Sequence, residues 1–469
     1  LKKNYPLAEV YKREYIENYR TIIRQTLDPK QGISVNFLNY SENILSLNIS
    51  NLQRLPVEIL NLEFDNGTKI NFNERILING KSSKFKIPNE TIEVKCFSQI
   101  KCEKMSIKNQ YIIYKILGQN KIRKEKIVFF GNTNNLEKVS IEENLNNLKK
   151  YPFIKIDENN KNIMLQEGKW VLENKIIFPK EYKIYFKPGT EITLKNKAQI
   201  VSFSPIFMKG NKAKPIIIKS DFKGDINKFR NNDLSLKKEN SYFGYGILIK
   251  NTSSVSEIDN TIFYRLSGPE ESSGEGILGA VNFYEADVKI NNTKFIENLK
   301  GDDFLNIIRS NFSIKNSYFV NTNSDSIDVD FSQGIISNTT FDKSMNDALD
   351  FSGSYVSLNN IDISQAGDKA ISAGEKSVIE IKKLVIKNSK IGVASKDFSK
   401  VNLKDVNIIN TNVGITAYKK KKEYGPAEIN ITNIVFNNVS NEYFLEKYSK
   451  ITTNGKEEVS TQRNFENIK

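Results

Sequence analysis

The sequence predicts an all-β chain whose larger part is a parallel β-helix, and three observations predict it. The first is a six-residue phrase written eight times: IDNTIF at 258–263, INNTKF at 290–295, IKNSYF at 314–319, ISNTTF at 336–341, LNNIDI at 358–363, IKKLVI at 381–386, LKDVNI at 403–408 and ITNIVF at 431–436. Successive copies start 32, 24, 22, 22, 23, 22 and 28 residues apart. Self-similarity near this period marks stacked units, none of which can bury its apolar face alone. The second observation is the third position of the phrase: Asn260, Asn292, Asn316, Asn338, Asn360, Lys383, Asp405 and Asn433. Asn at a turn between two short β runs tolerates unusual backbone angles, and its amide can bond the backbone of the next coil to form a ladder. The third is the make-up of the unit. It has no Leu at fixed spacing and no helical half, as a leucine-rich repeat would. It has short runs of Ile, Val, Phe and Thr between polar turns, and such coils rise by about 4.8 Å, one strand spacing.

The elements follow in order. Residues 1–31 read as a helical segment, the remnant of an upstream domain. Tyr11, Tyr15, Tyr19, Ile22 or Ile23, and Leu27 fall at spacings of three and four, and Pro29 stops the helix by pushing Asp28 out of the α region. Residues 32–135 carry alternating runs at 44–49, 57–64, 75–78, 91–97, 111–117 and 126–130, with Asp65-Asn66-Gly67 and Asn79-Gly80 as turn signals. That spacing predicts a β-sandwich of the immunoglobulin or fibronectin kind, serving as a spacer or docking module. Residues 136–469 form the β-helix domain. Ser140-Ile141-Glu142-Glu143 has the form of a capping box. The helix it opens would run to about Lys150 and cover the open first coil with Ile141, Leu145 and Leu148. The first coils lie at 169–179, 183–194 and 198–219, and insertions interrupt the coils at 220–243, 264–278 and 417–428.

Composition bounds the function. A hydrophobic content of 39% supports a core, and the net charge of +14 comes from scattered lysines whose one run is Lys419–Lys422. A basic chain without a recognition motif argues against nucleic acid as the partner. No apolar run approaches 18 residues, so no transmembrane helix is expected. The chain starts at Leu1 without a signal peptide, which reads as a mature or trimmed fragment. Cys96 and Cys102 could bridge a tight loop or remain two reduced core residues. Most useful is the complete absence of His. It excludes Ser-His-Asp and Cys-His chemistry, His-ligated zinc and any imidazole acid or base.

The Asn ladder, the coil length and the segment FKPGTEITLKNKAQIVSF at 186–203 resemble the right-handed parallel β-helix, or pectin-lyase-like, superfamily over about residues 150–450. The resemblance implies a surface that grips polysaccharide, on a bacterial protein that is secreted, periplasmic or at the cell surface. Polygalacturonase-like and mannuronan-epimerase-like members use a His beside their carboxylates. This chain has none and departs from both.

A regular repeat also lets coils be stacked in register. Val281, Leu305, Ile327, Leu349, Ile371, Val393 and Ile415 align as inward residues. The next position points outward and reads Asn282, Asn306, Asp328, Asp350, Ser372, Ala394 and Thr416. Two residues on, the column reads Tyr284, Ile308, Asp330, Ser352, Gly374, Lys396 and Tyr418. Asp328, Asp330 and Asp350 should then lie roughly 5–7 Å apart at Cβ. Carboxylates that close need a raised pKa, a cation such as Ca²⁺, or basic neighbours.

These three are therefore the candidate catalytic residues and the candidate metal ligands. A carboxylate pair can hydrolyse a glycosidic bond, and Ca²⁺ with a basic side chain can drive β-elimination from a uronate. Tyr284, Tyr418 and Tyr424 are candidates to stack on sugars, and Arg309, Lys396 and Lys419 to meet carboxylates or sulfates. The blander readings are a solvated face, a surface contact and a solvated loop. Asp302, Asp303, Asp325 and Asp347 are expected to bond nearby N–H groups. The insertions at 264–278 and 419–424 enter before and leave after the same strand, and so flank one face. Two functions follow. One is an exported protein that binds an acidic glycan and cleaves it as a lyase or hydrolase. The other is a non-catalytic surface or assembly protein, with the solenoid as a rigid spacer, the sandwich as its docking module and another surface protein as a candidate partner.

Overall fold

The structure is a computed structural model, described over residues 32–41, 44–53, 55–64, 67–80, 88–95, 110–127, 141–226, 243–269, 279–421 and 423–458. The helix expected over 7–27, both cysteines and Ser140 of the capping box lie outside the described residues. The chain separates into two compact units, Leu1–Asn135 and Leu136–Lys469.

The first unit holds two antiparallel sheets. Ile33–Ser41, Ile44–Asn51 and Asn89–Lys95 make one; Lys69–Ile78, Val57–Glu63, Tyr111–Ile116 and Ile122–Lys126 make the other. Strict alternation in ILSLNI buries Leu45, Leu47 and Ile49 against Val57, Ile59, Leu62, Ile112 and Ile116 of the opposite sheet. The two sheets of the expected sandwich are thus present. Of the apolar run expected over 126–130, residues 128–130 lie outside the described residues. The charged IRKEK at Ile122–Lys126 pairs as an outermost strand of its sheet. Charge on an edge strand blocks pairing with a further chain.

The second unit opens with the helix Ile141–Leu148. Leu145 and Leu148 join the solenoid core, whereas Ile141 is 39% exposed and is not part of the cap. A hairpin, Ile154–Asp157 with Asn162–Leu165, follows and pairs in parallel with Lys183–Phe186. From there each coil adds one strand to each of three parallel sheets, so the parallel β-helix expected from the repeat is the observed architecture. In one coil, Asp325–Asp330 lies in the first sheet, and Gln333–Ser344 bends through the second and third.

Three sets of residues explain why this sequence coils. Every third-position residue of the phrase has positive φ: 46, 47, 50, 49, 58, 59, 58 and 64° from Asn260 to Asn433. This is the left-handed region that Asn tolerates best after Gly. The ladder forms between side chains rather than to the backbone as expected: Asn338 Nδ2 donates to Asn316 Oδ1 at 3.3 Å, and Asn360 Nδ2 to Asn338 Oδ1 at 3.0 Å. Inside, Phe263, Phe295, Phe319 and Phe341 stack with centroids 5.0, 4.3 and 5.0 Å apart. At the corner between the first and second sheets runs a buried serine spine that sequence reasoning missed. The N–H groups of Ser310, Ser332, Ser354 and Ser377 each donate to the next coil's Ser Oγ, at 3.0, 3.0, 3.1 and 3.1 Å. The recurrence of Ser310, Ser332, Ser354, Ser377 and Ser399 at 22 or 23 residues was the available signal.

Truncating the stack with Phe319→Ala should destabilise the domain by about 3–5 kcal/mol. Ser354→Ala, which leaves the buried Ser332 N–H without an acceptor, should cost about 1–3 kcal/mol. Urea unfolding of the full chain measures both. A Ser354→Ala midpoint equal to wild type would show that the spine contributes nothing.

Candidate functional site

The first sheet realises the expected columns residue by residue. Asn282, Asn306, Asp328, Asp350, Ser372, Ala394 and Thr416 follow one another in register, as do the inward apolar residues. Asp303 pairs with Asp325, and the Asp347 N–H donates to Asp325 Oδ1 at 2.8 Å, placing a second carboxylate file at the start of the same strands.

The outward side is not a solvated face. Asn282, Asn306, Ser372, Ala394 and Thr416 are buried, and of this column only Asp328 and Asp350 are partly exposed. The covering therefore has a window centred on the two carboxylates. Above and below them, Asn306 Oδ1 and Ser372 Oγ are buried without a hydrogen-bond partner, polar atoms suited to receive ligand or water groups.

Asp325 and Asp347 bond nearby N–H groups as expected: Asp325 Oδ1 accepts from the Asp347 backbone and from Asn346 Nδ2, at 2.8 and 2.6 Å, and Asp347 Oδ1 from the Lys369 backbone at 2.8 Å. They also crowd the window. Burial pushes Asp325 up to about 8, with Asp347 adding repulsion. Asp328 is raised well above the usual carboxylate range, first by burial and then by Asp303, Asp330 and Asp350. Asp303 is raised by burial and by Asp325, and Asp330 by burial, Asp350 and Glu375. Two lysines that reach the acids relieve part of this. Lys369 Nζ lies 3.3 Å from Asp347 and also contacts Asp368, and Lys396 Nζ lies 3.7 Å from Asp350. Glu375 accepts from Ser352 Oγ at 2.7 Å and pairs with Lys421. Lys369 continues the file of Asp303, Asp325 and Asp347 one coil on, with a base in place of an acid, and Glu375 lies outside the outward columns.

A cation such as Ca²⁺ on Asp328, Asp330 and Asp350 is one of the three solutions that the sequence leaves open. Among the described residues, carboxylate oxygens converge within 4.8 Å at Asp325, Asp347 and Asp350. The ammonium groups of Lys369 and Lys396 stand against two of them, so basic side chains supply the neutralisation that a cation would.

The expected contact residues divide. Lys396 is only 4% exposed and belongs to the buried pairs. Tyr418 is 5% exposed and packs with Ile391, Ala394, Val413 and Phe444, so its ring offers no face to a sugar. Burial also raises its phenol. Both point outward by alternation, yet the covering encloses them. Tyr284 is partly exposed and accepts from Arg309 Nη1 at 2.7 Å. Lys419 is exposed, and Tyr424 packs edge-on against Phe398. A groove of about 290 Å³ lies elsewhere, on the third sheet, and its two carboxylates, Asp362 and Asp405, are not buried.

The coil stacking itself makes the chain a parallel β-helix protein. Its structure is similar to the catalytic domain of a GH87 alpha-1,3-glucanase in complex with nigerose, at 11% identity and TM-score 0.39, over 91% of this chain and 97% of that one. It is similar to full-length tailspike protein 2 of Escherichia coli O157:H7 bacteriophage CAB120, at 11% identity and TM-score 0.31, over 64% and 39% of the two chains. It is similar also to PfbA, a surface adhesin of Streptococcus pneumoniae, at 11% identity and TM-score 0.30, over 65% and 93%. No protein-family model and no curated protein matches the sequence. Among the described residues, no helix is long and apolar enough to cross a membrane.

The raised Asp325 gives a signed expectation. Between its ordinary value of 3.8 and its folded value of about 8, the folded chain keeps a proton that the unfolded chain has lost. Stability therefore falls as pH rises through that window. Asp325→Asn removes the cost, so its Tm advantage over wild type should widen by at least about 3 °C between about pH 5 and about pH 8. Equal shifts at both pH values, read by differential scanning calorimetry, would overturn the burial argument.

Proposed function

We propose that this is an exported, polysaccharide-acting β-helix protein that hydrolyses glycosidic bonds at the Asp328/Asp350 window. The observation that carries the reading is the window itself: two adjacent carboxylates left accessible in a column that is otherwise covered, one of them raised well above the usual carboxylate range by its surroundings. Glycoside hydrolysis needs a proton donor for the leaving oxygen and a second carboxylate that attacks or activates water. Asp328 fits the donor, because burial and the neighbouring Asp303, Asp330, Asp350 and Asp325 raise it well above the usual carboxylate range and so favour its protonated form. Asp350, in an ion pair with Lys396 at 3.7 Å, fits the second role. The charge of Asp330 is one of those that favour the protonated form of Asp328.

Hydrolysis is favoured over β-elimination by the same electrostatics. An elimination centre must neutralise a uronate carboxylate, and a window lined by Asp328, Asp330 and Asp350 repels one. Anionic substituents fit the basic rim at Arg309 and Lys419 instead.

The non-catalytic surface or assembly role keeps one observation in its favour. The Lys369–Asp347 and Lys396–Asp350 pairs are largely enclosed and contribute to packing whether or not a ligand binds. A panel of neutral and acidic polysaccharides, assayed for reducing ends and for unsaturated uronate, separates the two. Hydrolysis of at least one polymer is expected, with Asp328→Asn and Asp350→Asn each lowering the rate by about 100-fold or more. Activity should decline on the alkaline side as Asp328 gives up its proton. Wild-type rates in both variants would remove the window as the site, and polymer binding without any cleavage would favour the non-catalytic role.

A further inference from the structure

The corner between the first and second sheets carries a row of left-handed residues beside the window. Glu285, Arg309, Phe331, Gly353, Lys376 and Phe398 have φ of 49, 49, 49, 59, 68 and 62°. The coils are tied there by backbone bonds: the Phe331 N–H donates to Ser352 O, Gly353 to Gly374 O and Lys376 to Asp397 O, at 2.8, 3.2 and 2.9 Å. Two members do not belong on physical grounds. A bulky aromatic residue in the left-handed region is strained, and an aromatic ring in water forfeits its burial. Phe331 accepts both costs at 61% exposure, and Phe398 at 46%.

Each ring lies over a glycine. A Cβ on Gly353 would meet the Phe331 ring at 2.7 Å, and one on Gly425 would meet the Phe398 ring at 2.1 Å. Only glycine leaves room for the ring at each of these places, and each ring stays largely exposed. Phe331 directly follows Asp330 of the window, and Phe398 contacts Tyr424 with centroids 6.4 Å apart. Three coils separate the two rings, roughly 14 Å along the axis. Exposed Arg309, Lys376 and Lys421 flank the row, Arg309 3.4 Å from Glu285 and Lys421 paired with Glu375, so that a polymer anion would exchange with these carboxylates.

Residues kept strained and exposed mark function rather than packing. The geometry points to a sugar-stacking strip, with Phe331 and Phe398 as platforms, that binds an anionic polysaccharide lying along the solenoid axis. The chain's ring faces rest on the two phenyl groups, and its carboxylates or sulfates meet Arg309, Lys376 and Lys421. The inference rests on the proposed function, since the strip delivers the chain to the window, and it names both the class of polymer and the residues that hold it.

Affinity electrophoresis of the full chain through gels containing polygalacturonate, chondroitin sulfate or neutral dextran tests it, alongside Phe331→Asn, Phe398→Asn and, on the third sheet, Val435→Asn. Asn suits a left-handed position, so the two Phe variants should melt at or above the wild-type temperature. They should lose about 10-fold or more of the affinity for the anionic polymer, since aromatic platforms dominate such contacts. Val435→Asn, at an exposed apolar residue away from the strip, should bind as wild type. Wild-type affinity in both Phe variants overturns the strip and leaves the proposed hydrolysis standing. Lower melting temperatures in both would make the rings packing residues and overturn it as well. Equal retention by dextran, unaffected by salt, overturns the anionic class. No retention of wild type by any of the three polymers overturns the strip, and reducing-end release in the same gels reports independently on the window. A Phe331→Asn variant that loses self-association in sedimentation velocity but not polymer affinity would assign the rings to a second copy of the chain instead.

Discussion

The constraint on which the rest of this structure depends is that each coil must turn its corners in the left-handed region and still land in register on the coil below. Coil after coil meets it with Asn at the corner between the second and third sheets, and the side-chain amides bond one another across coils. The corner between the first and second sheets meets it differently. There a buried serine hydroxyl accepts the N–H of the coil before it, leaving the outermost residue free to vary. One corner is thus specified by its turn residue and the other by what stands behind the turn. That freedom is what admits Arg309, Phe331 and Phe398 to the second corner.

Fixed register converts sequence spacing into proximity. Twenty-two residues along the chain become one strand spacing of about 4.8 Å in space, so Asp303, Asp325 and Asp347 form one file of carboxylates, and Asp328 and Asp350 a second. Had these carboxylates faced water, the proximity would have cost little, because bulk solvent screens it. Under cover, each raises its neighbours, and Lys369 and Lys396 are drawn in to offset part of the repulsion. The acid–base character of the window is therefore a product of burial acting on a periodic sequence.

This explains which parts of the molecule were legible beforehand. Periodicity is a local property, and it placed Val281 through Ile415, and Asn282 through Thr416, in their columns without error. Alternation also gave the direction of each side chain. It could not give coverage. Tyr418 and Lys396 point outward as expected and are buried all the same; around Tyr418 the neighbours are Ile391, Ala394, Val413 and Phe444, contacts that alternation along one strand does not give. The same blindness hid Lys369, whose ammonium reaches Asp347 from the next coil. Ile141 left the cap for a similar reason: a helical stripe predicts a face, but how wide a face the first coil covers depends on the coil.

The window and the corner also share an energetic logic. An Asp328 crowded by other acids under cover, and a phenyl ring held in water on strained backbone, both lower the stability of the folded chain. A solenoid tolerates such costs better than a small globule, because each coil is stabilised by its neighbours through the phenylalanine stack, the serine spine and the parallel ladders. Phe319 and Phe341 stack at 5.0 Å in the two coils whose first-sheet strands carry Asp303, and Asp325 with Asp328. Aromatic packing thus holds the interior of the same coils that crowd acids on their surface. That is the arrangement a site needs when its groups must be kept in states they would abandon in water.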